Sequence, residues 1–196
     1  AGTSRDMGEL TTLYTDKSIE FLKKKRDPKK PFVLYLAHTM MHTIIDASDR
    51  FRGKSKGGLY GDVVEEFDYE TGRLLDTLEE LGLSENTLFI YTSDNGPWKL
   101  ATNSWVKGNM NRRVGGFAHP LKGYKFSRFE GGMRVPTVMW WPGRIPAGKE
   151  CSEVGPSMDF LPTCAALAGA KVPDDRVIDG KNLLPLMEGR KGAKSP

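Results

Sequence analysis

Two rhythms of apolar positions alternate along the chain. Over residues 10–26, Leu10, Leu13, Tyr14, Phe21 and Leu22 recur at helical spacing between lysines and glutamates, and the basic final turn suits the helix dipole. Pro31 then introduces the unbroken apolar run from Phe32 to Ala37, which predicts a strand of the kind buried on both faces of a parallel sheet. A polar, glycine-containing loop over 46–61 leads into the clearest helical pattern, 62–81. There Val63, Val64, Phe67, Leu74, Leu75, Leu78 and Leu81 form one stripe and Gly82 supplies the stop. A second buried strand is predicted over 87–92 and breaks off at Ser93-Asp94-Asn95-Gly96-Pro97.

Residues 98–134 show little periodicity and many glycines and asparagines, a length of irregular chain that usually builds a site. A third strand is predicted over 135–141, with Pro136 near its start and Pro142 just past its end. A helix follows over 157–168, with Pro162 in its first turn and Gly169 at its stop. The tail from Lys171 is irregular. Strand, helix, strand, long loop, strand, helix is the order of an α/β layered fold with a largely parallel sheet. The first two strands and the helix between them would then form a right-handed βαβ unit.

Composition narrows this in a few places. The 196 residues suit one domain or a large piece of one. Lys and Arg number 29 against 25 Asp and Glu, a net charge of +4, and Lys23-Lys24-Lys25-Arg26 reads as a solvated helix end. No nucleic-acid partner is expected. No apolar stretch approaches the ~20 residues that cross a bilayer, so no membrane partner is expected either. The two cysteines, Cys151 and Cys164, cannot make a disulfide framework, and Cys164 is expected in the core. The polar stretches at both ends, with no signal sequence, read as cuts in a longer protein.

If the first two strands are parallel, their carboxyl ends lie at one sheet edge, where open α/β folds bind ligands. His38 and His42 follow the first strand; Asp94 and Asn95 follow the second. The two oxygen-bearing side chains suit a hard cation, and the same two residues with Gly96 and Pro97 also make a good turn. Gly131-Gly132 after Glu130 reads as a tight turn, and Lys122, Lys125, Arg128 and Arg134 around it form either an anion-binding surface or a solvated basic loop.

Six strings occur in one order: PFVLYLAHTMMH (31–42), GDVVEEFD (61–68), TSDNGP (92–97), KFSRFEGGMRVP (125–136), WPG (141–143) and DFLPT (159–163). Together they resemble the second half of the catalytic domain of type I, formylglycine-dependent sulfatases, over about residues 10–186. The resemblance implies an alkaline-phosphatase-like α/β/α sandwich, with residues 1–196 a partial catalytic domain. It implies sulfuric ester hydrolysis with one Ca²⁺. Asp94 and Asn95 match ligands of that ion, with the remaining ligands expected from the absent N-terminal half. Lys125 matches the lysine that contacts the sulfate and the leaving-group oxygen. His42 matches the histidine that contacts the sulfate and protonates the leaving group. Glu130 and Arg134 are expected to support the turn that positions Lys125. His38, Trp98, Arg112, Arg113 and His119 are expected to meet the substrate.

Two departures stand out. The prolines that the family often carries beside the histidine are replaced by Met41 and Ile44. The nucleophile motif Cys/Ser-x-Pro-x-Arg is absent, since neither Cys151 nor Cys164 lies in it. Formylglycine is therefore expected in the parent protein and not in this chain, and the segment alone is expected to be inactive. A companion N-terminal fragment or self-association is the expected partner, besides a sulfated small molecule or glycan. The resemblance implies an exported (periplasmic or extracellular) or lysosomal location. Two alternatives remain open here: a phosphate or phosphonate ester hydrolase of the same superfamily, and a degenerate relative that binds without catalysis.

Overall fold

The computed structural model describes residues 7–42, 45–98 and 116–195. They fall into two compact units, Ala1–Leu83 with Thr92–Thr137, and Ser84–Tyr91 with Val138–Pro196.

The first unit is built on two packed helices, α1 (Leu10–Glu20) and α2 (Gly58–Glu80). α1 runs on through a wider turn, Phe21–Lys25, so the predicted helix over 10–26 is present to within a residue. Its buried face differs from expectation. Thr11, Thr15, Ser18 and Leu22 are buried, whereas Leu13 is exposed. These small hydroxyl residues allow close approach, and Thr15 and Ser18 satisfy their own O–H groups on the carbonyls of Thr11 and Tyr14.

On α2 the buried face carries Val63, Leu74 and Leu78 of the predicted stripe, interleaved with Asp62, Glu66 and Glu70, while Val64 is exposed. Each buried carboxylate has donors. Asp62 accepts the backbone N–H groups of Gly53, Lys54 and Ser55, which holds the preceding loop against the helix. α2 ends as predicted at Gly82. That glycine has a φ of +64°, while the N–H groups of Gly82 and Leu83 return to the carbonyls of Glu79 and Leu78. Met40, Ala47 and Val63 form a small apolar core.

The predicted strand over 32–37 is not paired. Among the described residues no strand lies beside it, and Val33 and Tyr35 are 83% and 89% exposed. A run of apolar residues becomes a buried strand only when neighbouring strands take up its N–H and C=O groups. The expected βαβ unit is therefore not formed among the described residues.

The second unit contains the one described sheet, β1 (Phe89–Tyr91) and β2 (Val138–Trp140), paired antiparallel with Phe89 opposite Trp140. Both strands lie inside their predicted ranges. Beside them Trp141 is buried and donates its indole N–H to Glu85 O at 2.8 Å. The turn Ser157–Asp159 leads into α4 (Phe160–Leu167), which follows the short α3 (Glu130–Met133) of the first unit. Asp159 and Thr163 are buried, and they accept the N–H groups of Lys181 and Leu183, tying down the chain that leads to α5 (Leu184–Met187). Cys164 is exposed rather than in the core, because α4 buries the face that holds Pro162 and Thr163.

Candidate active site

The segment 92–98 crosses the first unit under tight backbone control. Thr92 Oγ1 lies 2.9 Å from Thr137 Oγ1. Gly96 is buried and donates its N–H to Gly132 O at 3.0 Å. A Cβ at position 96 would lie 1.9 Å from Gly131 O, so only glycine fits this crossing. One residue on, Pro97 O accepts the N–H of Lys125 at 2.9 Å. The turn that bears Asp94 and Asn95 is thus stitched directly to the loop that bears the lysine.

That loop is equally constrained. Gly131 donates to Lys122 O at 2.8 Å, and a Cβ there would stand 2.6 Å from Gly123 O. A Cβ on Gly132 would stand 2.6 Å from the carbonyl oxygens of Tyr124 and Ser127. The predicted Gly131-Gly132 turn is observed as one helical turn, α3. Lys125 occupies the second position of a hydrogen-bonded turn closed by Ser127 N–H on Tyr124 O at 2.8 Å. The third position is Phe126, with φ +72°. A type II turn demands that conformation and ordinarily places glycine there. The cost is of order 1 kcal/mol and is carried by a residue whose ring is largely exposed. Lys125 itself is half-buried, its Nζ 5.6 Å from the Phe126 ring centroid.

His42 lies on an exposed turn anchored by its N–H on Thr39 O at 3.0 Å. Its ring stacks on Trp98, with centroids 6.3 Å apart and planes inclined by 20°. The residues 94–98 therefore contact the loop of Lys125 on one side and the imidazole of His42 on the other. Glu130 and Arg134 form an ion pair of 3.1 Å across α3, both half-exposed or more.

The other expected site residues lie elsewhere or outside the described residues. His38 is set between Tyr14 and Phe67, with ring centroids 5.7 and 4.5 Å away. Its Nδ1 is buried with no hydrogen-bond partner among the described residues, and burial pushes its pKa below the ordinary 6.5. This is the environment of a packed histidine in the helix seam. His119 is exposed. Arg112 and Arg113 lie outside the described residues. Reading the sequence by residue type overlooked Phe126, whose backbone carries the turn. The glycine at 123, two residues before Lys125, is the nearby sequence signal of a constrained loop.

No group of three or more His, Cys, Asp or Glu side chains arranged for a metal occurs among the described residues. The chemistry of Asp94 and Asn95 nonetheless fits a hard cation. Asp94 is exposed, and Asn95 donates its Nδ2–H to Gly96 O at 3.0 Å, which leaves Oδ1 as an acceptor. Two side chains fall short of the six to eight oxygens that Ca²⁺ takes, so such an ion would need further ligands from elsewhere.

Comparison with known proteins gives a consistent outcome. The family model described as Sulfatase matches residues 2–170. The N-acetylgalactosamine-6-sulfatase of Canis lupus familiaris is 42% identical over 180 residues, covering 92% of this chain and 33% of its own length. The steryl-sulfatase of Homo sapiens is 42% identical over 181 residues, covering 92% of this chain and 30% of its own length. Among solved structures, the PsFucS1 sulfatase from Pseudoalteromonas sp. matches with a TM-score of 0.87 and 28% identity over 100% of this chain and 38% of its own. Ps i-CgsB in complex with k-i-k-neocarrahexaose matches with a TM-score of 0.74 and 35% identity, over 89% of this chain and 37% of its own. The chain spans about a third of the length of the curated relatives it matches.

Proposed function

The chain belongs to the Sulfatase family, and we propose that residues 1–196 are the part of its catalytic domain that holds the leaving-group side of a sulfate-ester hydrolase site. The fold is the alkaline-phosphatase-like α/β/α fold of that family, present here as a partial domain with a small sheet. The observation that carries the functional reading is the backbone tie from Pro97 O to Lys125 N–H, which places an oxygen-donor turn and an ammonium group on one rigid support.

The reaction breaks the S–O bond of R–O–SO₃⁻ and leaves its electron pair on the ester oxygen, while water supplies, overall, the proton of R–OH and the new oxygen of sulfate. Charge grows on that oxygen as the bond lengthens. The Lys125 ammonium stabilises the transition state more than the ground state, because its charge is already in place. His42 delivers the proton that the departing oxygen needs. Asp94 and Asn95 would hold the calcium ion that the family resemblance implies, and such an ion polarises sulfate oxygens when bound. Glu130 and Arg134 brace the turn that leads back from Lys125. The nucleophile, a formylglycine by the same resemblance, would come from outside these residues.

A sulfated sugar is the substrate class we propose. One relative is named for N-acetylgalactosamine-6-sulfate chemistry, and one matching structure holds k-i-k-neocarrahexaose. His119, with Arg112 and Arg113, would meet its further hydroxyl or anionic groups. The exposed apolar run at Val33 and Tyr35 supports pairing with a companion portion of the domain, or self-association of this chain. The proposed location is exported or lysosomal; among the described residues no helix is long and apolar enough to cross a membrane.

The test is hydrolysis by the complete polypeptide that carries this segment. Sulfate monoesters should turn over in a calcium-dependent way, and Lys125→Ala should lower kcat by about 10²–10³-fold. Turnover of phosphate or phosphonate monoesters in preference to sulfate esters would overturn the reading. The isolated 196 residues should show no EDTA-sensitive turnover of an aryl sulfate.

A further inference from the structure

Three consecutive residues, Gly96, Pro97 and Trp98, serve different masters. Gly96 is bonded to Gly132, and Pro97 accepts the N–H of Lys125. Trp98, half-buried, presents a flat indole at 20° to the His42 ring with centroids 6.3 Å apart. The backbone just before Trp98 is therefore fixed at two points, which limits where the indole can stand.

Such a placement bears directly on His42. It sits on an exposed turn, and the terminal torsion of a histidine side chain is broad. Proton delivery requires one ring nitrogen within hydrogen-bond reach of the departing oxygen, so free tilting of the ring would spread it over unproductive positions. A stacked partner restrains tilt while leaving the ring edge, where both nitrogens lie, uncovered.

We infer that Trp98 is a positioning residue that fixes the plane of the His42 imidazole and, through it, proton delivery to the leaving group. This replaces a simple role as a platform for substrate, and it rests on the sulfate-ester reading above. The facing indole is one restraint on the turn that carries Met41 in place of a stiffening proline.

The experiment compares sulfate esters of graded leaving-group basicity in the complete polypeptide. A nitrophenyl leaving group departs with little help, whereas a sugar alkoxide needs its proton. Trp98→Leu should lower kcat only about threefold on 4-nitrophenyl sulfate but about 10- to 100-fold on a sugar sulfate, with KM little changed. Trp98→Phe, which keeps a flat ring, should recover most of the loss. In a His42→Gln background, Trp98→Leu should add no further loss. A uniform loss on both esters, or a change in KM alone, would overturn the inference while leaving the sulfatase reading intact. A wild-type polypeptide that hydrolyses no sulfate ester would refute that reading and the catalytic part of this inference with it. The stack is judged separately by NMR: the His42 ring protons should be shifted upfield by the indole and return towards ordinary values in Trp98→Leu. Ordinary shifts in the wild type would overturn it.

Discussion

In the seam between α1 and α2 the chain buries polar side chains; around residues 94–98 and 122–132 it buries backbone. Glu66 is 1% exposed, and its two oxygens accept Thr12 O–H at 3.2 Å and Ser48 N–H at 2.9 Å. Its neighbour Glu70 accepts Thr12 and pairs with Arg73 at 2.7 Å. The seam is held by groups that can be deleted one at a time. In the other region the contacts run from carbonyl oxygen to N–H across glycines that have no room for a Cβ. There a single methyl displaces main chain, and the main chain carries Asp94, Asn95 and Lys125. Precision at the site is thus obtained from missing side chains, while stability in the seam is obtained from satisfied ones.

The comparison can be broken at its hardest point first. Gly96→Ala puts a methyl against Gly131 O and should cost about 3 kcal/mol in urea unfolding, besides abolishing turnover in the complete polypeptide. Gly72→Ala, inside α2 with open space around its Cβ, should instead raise stability by about 0.5–1 kcal/mol. Equal effects from the two would show that the crossing is not tight. Next in size, Glu66→Ala strands the buried N–H of Ser48 and removes one of the acceptors of the Thr12 O–H, and should lower stability by about 2 kcal/mol without moving the site loops.

A pH titration sharpens the same contrast. Burial lowers the His38 pKa, so the unfolded chain binds the proton more readily than the native one. The stability contributed by a neutral His38 is fully present above the ordinary 6.5 and is lost as pH falls through that value towards the lower native one. Urea midpoints measured between roughly pH 8 and pH 5 should fall on the acid side, and His38→Phe should flatten that part of the curve. An unchanged slope would mean that the Tyr14–Phe67 slot does not exclude the charged form. The smallest effect is expected for Glu130→Ala. Its exposed 3.1 Å pair with Arg134 should be worth about 0.5 kcal/mol or less, because solvent screens both charges.

The helices were largely legible because their evidence is local. The 3.6-residue stripe on α2, the glycine stop at Gly82 and the Pro162–Gly169 bracket on α4 all reappear in the structure. The site was legible as a set of strings but not as a geometry. His42, Lys125, Asp94 and Asn95 are singled out as candidates by the family-like strings that contain them. The stack on Trp98 and the positive φ of Phe126 could not be read from those strings, because each depends on segments far apart in the chain. Errors clustered where burial was inferred from apolar character alone. The run at 32–37 stands exposed, Cys164 faces solvent, and α1 turns Thr11, Thr15 and Ser18 inward instead of Leu13.

The amino-acid sequence by itself determined the family, where the helices start and stop, and which chemical groups are available. Those are properties of residue order and short-range periodicity, which any solvent-exposed or buried setting leaves intact. Only the tertiary structure decided which face of α1 is covered, that β1 and β2 run antiparallel, and that residues 96–98 join the lysine loop to the histidine ring. Pairing and burial are relations between distant segments. Their free energy depends on what stands opposite, and no local pattern records that.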